Sequence, residues 1–296
     1  MDFLLIIAVI ILYSLQTLFC KFYTNFYAGE DTERSALAAP VLGILQSAFI
    51  PLVTLAFIGF QFSASPKTWL IGGLNAIIVF GYNNVLIQAT RRGSYAFANM
   101  MLLFGEIVLV MIYCMNFVAD YPTPGIIELL AIAGIGGAIL LMNVEEFRFK
   151  GVKLSYYVFC ILLFLCNGLY GTLLKVQENY NAEESSEMII ISYALMGILS
   201  LGQLFIQEKK ELPKAFRMNW KALLFLGLCL LVAASAINVF VYAIEMIQDT
   251  VILYAMLNGG VLVLAAFYSV FWFKEKTSPL KIAGVILAAF CMAFLA

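Results

Sequence analysis

Apolar runs of about twenty residues, broken by short polar stretches, recur ten times along the chain. An α-helix needs a run of about that length to cross roughly 30 Å of hydrocarbon. The pattern predicts helices over 3–25, 37–60, 68–90, 94–117, 123–143, 154–177, 187–207, 220–245, 250–273 and 279–296. The breaks hold the glycines, prolines and charges, as at 29–35, 63–67, 120–124, 178–186 and 274–279. The first run resembles a secretory leader in its hydrophobicity, but Asp2 replaces the expected basic flank, and the run recurs from Tyr157 onward. It is therefore expected to persist as a helix.

The polar positions show that the second half copies the first. At a shift of 154 residues and without a gap, Lys21 falls on Lys175, Asn25 on Asn179, Gly43-Ile44-Leu45 on Gly197-Ile198-Leu199 and Asn84-Val85 on Asn238-Val239. Aliphatic coincidences are cheap in so apolar a chain, whereas lysine on lysine and asparagine on asparagine inside apolar runs are not. The predicted organisation is one five-helix repeat over 1–148 and a second over 149–296. Five is odd, so the second copy enters the membrane from the opposite side. The expected fold is an all-α integral membrane protein of ten transmembrane helices in a five-plus-five inverted-topology repeat, with its working site between the copies.

Composition agrees: 64% of the 296 residues are hydrophobic, 12% are charged and the mean hydropathy is +0.98. The net charge of -1 is spread over short connections, which leaves no surface for nucleic acid. Histidine is absent, removing His-based acid–base chemistry, Ser-His and Cys-His dyads and the HExxH zinc motif. No catalytic residue, metal site or cofactor is expected, and the six cysteines, none in CxxC spacing, read as packing residues. Connections after odd-numbered spans hold fourteen Lys and Arg, while those on the other face hold only Lys67. The positive-inside rule then places both termini on the non-cytoplasmic side of the plasma membrane.

Polar groups inside the spans are costly and so informative. Glu106 stands fourteen residues from both Arg92 and Asp120, at the midplane of the fourth span. It reads either as a proton-coupling or cation-binding carboxylate, or as a protonated acid bonded to a neighbouring carbonyl or asparagine. Its counterpart is Gly260, in Leu257-Asn258-Gly259-Gly260, where the glycines predict a close helix approach or a bend. Lys21 and Lys175 are a symmetric pair that would guard opposite mouths of a cavity or snorkel to the headgroups. Asn84 and Asn238 are a second pair, bonded between helices or facing solute. Gln88 and Tyr242 follow them by one turn, and Gln16, Asn167 and Tyr170 lie on spans one and six. These ten residues are the candidate solute-binding set. Small-xxx-small spacings in span five (Ala133, Gly137) and span ten (Gly284, Ala288) favour close contact, within the fold or in a homodimer.

Phe271-Trp272-Phe273-Lys274-Glu275-Lys276-Thr277-Ser278-Pro279, closing on Gly284, is echoed by Asp120-Tyr121-Pro122-Thr123-Pro124 in the first copy. With ten spans in two copies, the whole chain resembles the drug/metabolite transporter superfamily, in its EamA-like branch. The stretch Tyr82-Asn83-Asn84-Val85-Leu86 is also similar to nucleotide-sugar transporters of that superfamily. The resemblance implies alternating access around a cavity lined by helices one, three, four, six, eight and nine. It also implies cytoplasmic termini, the reverse of what the Lys/Arg count in this chain predicts. The expected function is secondary active transport of a small organic metabolite or drug-like solute, with proton coupling through Glu106. The alternatives are organic-cation or multidrug efflux by proton antiport and, in another class, a non-transporting scaffold subunit. An enzyme is not expected. The partners are the solute and the lipid bilayer.

Overall fold

A computed structural model of the chain describes residues 2–29, 32–118, 125–148, 154–207, 215–246, 250–274 and 278–294. Among these residues every regular element is helical: α1 (Asp2–Ala28), α2 (Thr32–Phe57), α3 (Pro66–Arg92), α4 (Tyr95–Phe117), α5 (Ile126–Arg148), α6 (Leu154–Asn181), α7 (Ser185–Gln207), α8 (Trp220–Met246), α9 (Thr250–Phe271) and α10 (Pro279–Ala293). A single 3-10 turn, Ala182–Glu184, joins α6 to α7. Among the described residues six apolar stretches are long enough to cross a membrane: Leu4–Ala28, Ala36–Phe57, Pro66–Arg92, Phe97–Phe117, Leu154–Gln207 (running through α6 and α7) and Trp220–Ile244. The chain is thus a multi-pass α-helical membrane protein. Leu70, Leu74 and Ile77 are exposed along one face of α3, as a lipid-facing helix requires. The basic connections 149–153, 208–214 and 275–277, and the motif positions 120–124, lie outside the described residues.

The helix ends show why the polar breaks fall where they do. Ser65 precedes Pro66, whose missing N–H is no loss at the first helical position, and its hydroxyl accepts from the Thr68 amide at 3.4 Å. Ser94, Asn219 and Ser278 open α4, α8 and α10 likewise, accepting from Phe97 N at 3.4 Å, Ala222 N at 2.7 Å and Lys281 N at 3.2 Å. After α2, Gly59 takes φ +64°, which turns the chain so that Phe60 N donates to Leu55 O at 2.7 Å.

The chain divides into two compact units, and neither coincides with a sequence repeat. One comprises Met1–Ser14, Gln88–Thr172 and Met246–Ala296, the other Leu15–Ile87 and Leu173–Glu245. In the first, α4 packs on α9, α5 on α10 and α9 on α10. Gly134 of α5 lies under the Cys291 side chain, whereas Gly137 has open space around it. In the second, α2 packs on α7 along most of its length, through Gly43 against Ser200 and Gly197 against Ser47. Neither glycine has room for a side chain there.

Polar fastenings complete the second unit. Along α3, Asn75 Nδ2 donates to Ser192 Oγ at 3.1 Å and Asn83 Nδ2 to Gln46 Oε1 at 2.7 Å. At one end, Glu184 Oε2 accepts from the Thr68 hydroxyl, from Ser65 N at 3.0 Å and from Ser65 Oγ at 2.8 Å. The 3-10 turn thereby supplies a carboxylate to the positive end of α3. Asn219 also donates to Phe26 O at 3.0 Å, and Tyr27 to Ala215 O at 2.7 Å, fastening α1 to the start of α8. Farther along that contact Phe225 sits among Phe19, Phe22 and Phe26, with centroids 4.9 to 6.1 Å apart.

The Thr68 hydroxyl, the Ser65 amide and the Ser65 hydroxyl hold the Glu184 carboxyl below its ordinary value of 4.5. A depressed carboxyl stabilises the fold above the unfolded value and loses that contribution as pH falls through the lowered one. In thermal melts, Glu184→Gln is expected to melt below the wild type at neutral pH, and the gap is expected to close in acid. A constant gap at all pH values contradicts this assignment.

Candidate functional site

Glu106 lies near the middle of the 23-residue α4, which the Ser94 cap sets in register. There α4 crosses α6 at close range because both helices present glycine. A Cβ on Gly105 would run into the backbone carbonyl of Phe164, and one on Gly168 would come within 2.5 Å of Gly105 O. Next to this crossing the Glu106 side chain lies over Gly171, where a Cβ would stand 2.7 Å from Glu106 Cγ and 3.0 Å from Oε1. Glycine at 171 makes the space the carboxyl occupies.

Amides close the site from both neighbouring helices. Asn167 of α6 turns its Nδ2 to Leu102 O at 3.1 Å and to Glu106 Oε2 at 3.3 Å. Asn258 of α9 hydrogen-bonds the same carboxyl through its side chain and donates to Tyr254 O at 2.8 Å. Tyr254 completes a ring by donating from its hydroxyl to Gly171 O at 3.4 Å. Glu106 is 6% exposed and Asn258 1%. Among the described residues no cation pairs with Glu106, so its charged form would have only neutral amide donors to replace water. Such an enclosure suits a group that gains and loses a proton.

The ten sequence-chosen residues are divided between the two units. Glu106, Asn167, Tyr170 and Gln88 belong to the first unit, and the other six to the second. Hydrogen bonding joins Glu106 to Asn167. Asn84 exchanges two bonds with Gln203 of α7, at 3.2 and 2.7 Å, and Asn238 donates to Thr54 Oγ1 of α2 at 3.1 Å. Both asparagines are therefore fasteners between helices. Lys175, 5% exposed, pairs with Glu178 one turn on at 2.7 Å. Lys21 is half-buried, Tyr242 is 48% exposed, and the Gln16 side-chain oxygen is enclosed without a donor among the described residues. Asn258, Tyr254 and Gly171 were not among the ten. A lone asparagine in the apolar run of α9 was the available signal, while nothing in the sequence marked Gly171 or Tyr254. Gly260 answers to close approach, since a Cβ there would meet Ile10 of α1 at 2.6 Å.

Fold and site together define a multi-pass helical membrane protein with an enclosed carboxyl at a three-helix junction. No protein-family model matches the chain, and no curated protein matches it in sequence. A solved structure described only as "Crystal structure of protein" matches 99% of this chain and 95% of its own, with TM-score 0.69 and 13% identity. The two share a fold.

Two outcomes test this geometry. Gly105→Ala is expected to destabilise the protein by about 1 to 3 kcal/mol, because the clash is with backbone that cannot yield, whereas Gly137→Ala is expected to be neutral or slightly stabilising. Asn84→Ala is expected to cost about 1 kcal/mol, with most of it shared with Gln203→Ala in a double-mutant cycle. Additive effects of the latter two would show that the amide pair contributes nothing.

Proposed function

We propose that the chain is a secondary active transporter of a small organic metabolite or drug-like solute, working by alternating access in the plasma membrane. In this reading ten helices span the bilayer as an inverted five-plus-five repeat, as in EamA-like drug/metabolite transporters, and Glu106 is the coupling group. The observation that carries it is that contacts recur at counterpart positions. Gly105 of α4 meets Phe164 of α6, and Gly260 of α9 meets Ile10 of α1. Ile10 and Phe164 stand 154 residues apart, and Gly260 is one residue from the counterpart of Gly105. Asn84 on α3 is fastened to α7 and its counterpart Asn238 on α8 to α2. Ser65 and Asn219, also 154 apart, both cap their helices and both bind the opposite half of the chain. Contacts related in this way support two copies joined about a pseudo-twofold axis, which lets one state become the other by exchange of conformations.

The Lys175–Glu178 pair offsets that lysine's charge and so weakens the case for an anionic solute. Glu106 favours the alternative of organic-cation efflux by proton antiport. The test is transport by the purified protein in proteoliposomes under an imposed pH gradient, across a panel of anionic, zwitterionic and cationic solutes. Glu106→Gln is expected to abolish the gradient-driven component. Unchanged transport and pH dependence in that variant would exclude Glu106 from coupling, and failure to move any solute while one protein partner co-purifies would favour the scaffold reading.

A further inference from the structure

The ring around Glu106 contains one acceptor without a donor. Leu102 O accepts from Asn167, Gly171 O from Tyr254 and Tyr254 O from Asn258. The Asn258 side-chain oxygen is enclosed and has no donor among the described residues. A buried amide oxygen left unmatched costs about 1 to 3 kcal/mol, so such atoms call for a missing partner. The carboxyl it lies beside supplies one when it carries a proton.

We propose that Asn258 Oδ1 accepts the hydrogen bond of the protonated Glu106 carboxyl, and that the group exchanged at this site is a proton and not a metal cation. This rests on the reading of Glu106 as the coupling group. Asn167 presents its NH2 to the carboxyl, and the Asn258 amide carries both an NH2 and the unmatched oxygen. A sodium or potassium ion would need several oxygens facing inward, whereas Asn167 offers a donor. From α6 the facing residues are Asn167 and Gly171, and from α9 Asn258 and Tyr254. Tyr254 is the one titratable group among them, and its hydroxyl is engaged with Gly171 O. On deprotonation the proton passes from Glu106 to water, and the amide donors then hold the carboxylate. On protonation the new O–H turns to Asn258 Oδ1. Asn258 thus offers Glu106 a hydrogen bond in each state, and protonation supplies the donor that its oxygen otherwise lacks.

Infrared difference spectra of the full-length protein in lipid, recorded between acidic and alkaline buffer, read this directly. A carboxylic-acid carbonyl band that disappears in Glu106→Gln is expected. In Asn258→Leu the band should move to the higher frequency of an acid lacking an acceptor. Should Asn258→Leu fail to fold, Asn258→Ser, which keeps an oxygen too short to reach, is expected to give the same shift. Sodium or potassium added in place of acid should leave the band unaltered. An unmoved band in the Asn258 variants, or one displaced by either metal ion, overturns the proposal. The spectra need no solute, so a shifted band without any transport would remove the transporter reading and leave the proton site standing.

Discussion

Inside a bilayer no water is available to a stray polar group, and each buried donor or acceptor must find its partner in the protein. This constraint explains which residues hold the helices of this protein together. Hydrophobic contact alone gives little preference for one helix pairing over another, because lipid tails are as apolar as leucine. Selectivity comes from small residues that let backbones approach and from amides that bond across the gap. Gly43, Gly105 and Gly197 are of the first kind, Asn75, Asn83, Asn84 and Asn238 of the second.

The same constraint makes the Glu106 junction unlike the other fastenings. Asn84 and Gln203 satisfy each other in one arrangement, with an oxygen and an NH2 on each side. A carboxyl has two protonation states with opposite needs, and one fixed set of neutral donors serves only the charged state. The Asn258 side chain carries an NH2 and an oxygen on one carbon and so serves both. The Gly105–Gly168 crossing brings α4 and α6 close enough for that amide chemistry to close around the acid, so packing and protonation chemistry depend on the same few residues.

The positions of the helices were legible in the sequence because the bilayer demands long apolar runs, and α1 to α9 begin and end within a few residues of the predicted spans. The polar residues worth attention were legible for the same reason. Most of their partners were not, because those lie on other helices: Gln203 is 119 positions from Asn84, Thr54 184 from Asn238 and Asn167 61 from Glu106. Asn84 was seen, but Gln203, which decides that it fastens helices, was not. Lys21 and Lys175 looked equivalent, yet the residue three positions on is Thr24 in one half of the chain and Glu178 in the other. Thr24 turns its hydroxyl back to Lys21 O at 2.9 Å, while Glu178 neutralises Lys175. Asn258 was overlooked beside Gly259 and Gly260, which read as a close helix approach or a bend, and Gly260 makes that approach against Ile10.

That last pairing shows where the two halves part. In α4 the close approach is made by Gly105, which leaves the next position free for Glu106. In α9 the approach is made by Gly260, which the 154-residue shift places on Glu106, so α9 has no room for an acid at that place. Instead α9 contributes Asn258, two residues earlier, to Glu106. The carboxyl and its proposed acceptor thus stand on helices from the two halves of the chain, and any motion of α9 against α4 changes whether the protonated acid is matched. Both protonation states of Glu106 then favour the arrangement in which Asn258 is in reach, the acid through the Asn258 oxygen and the carboxylate through its NH2.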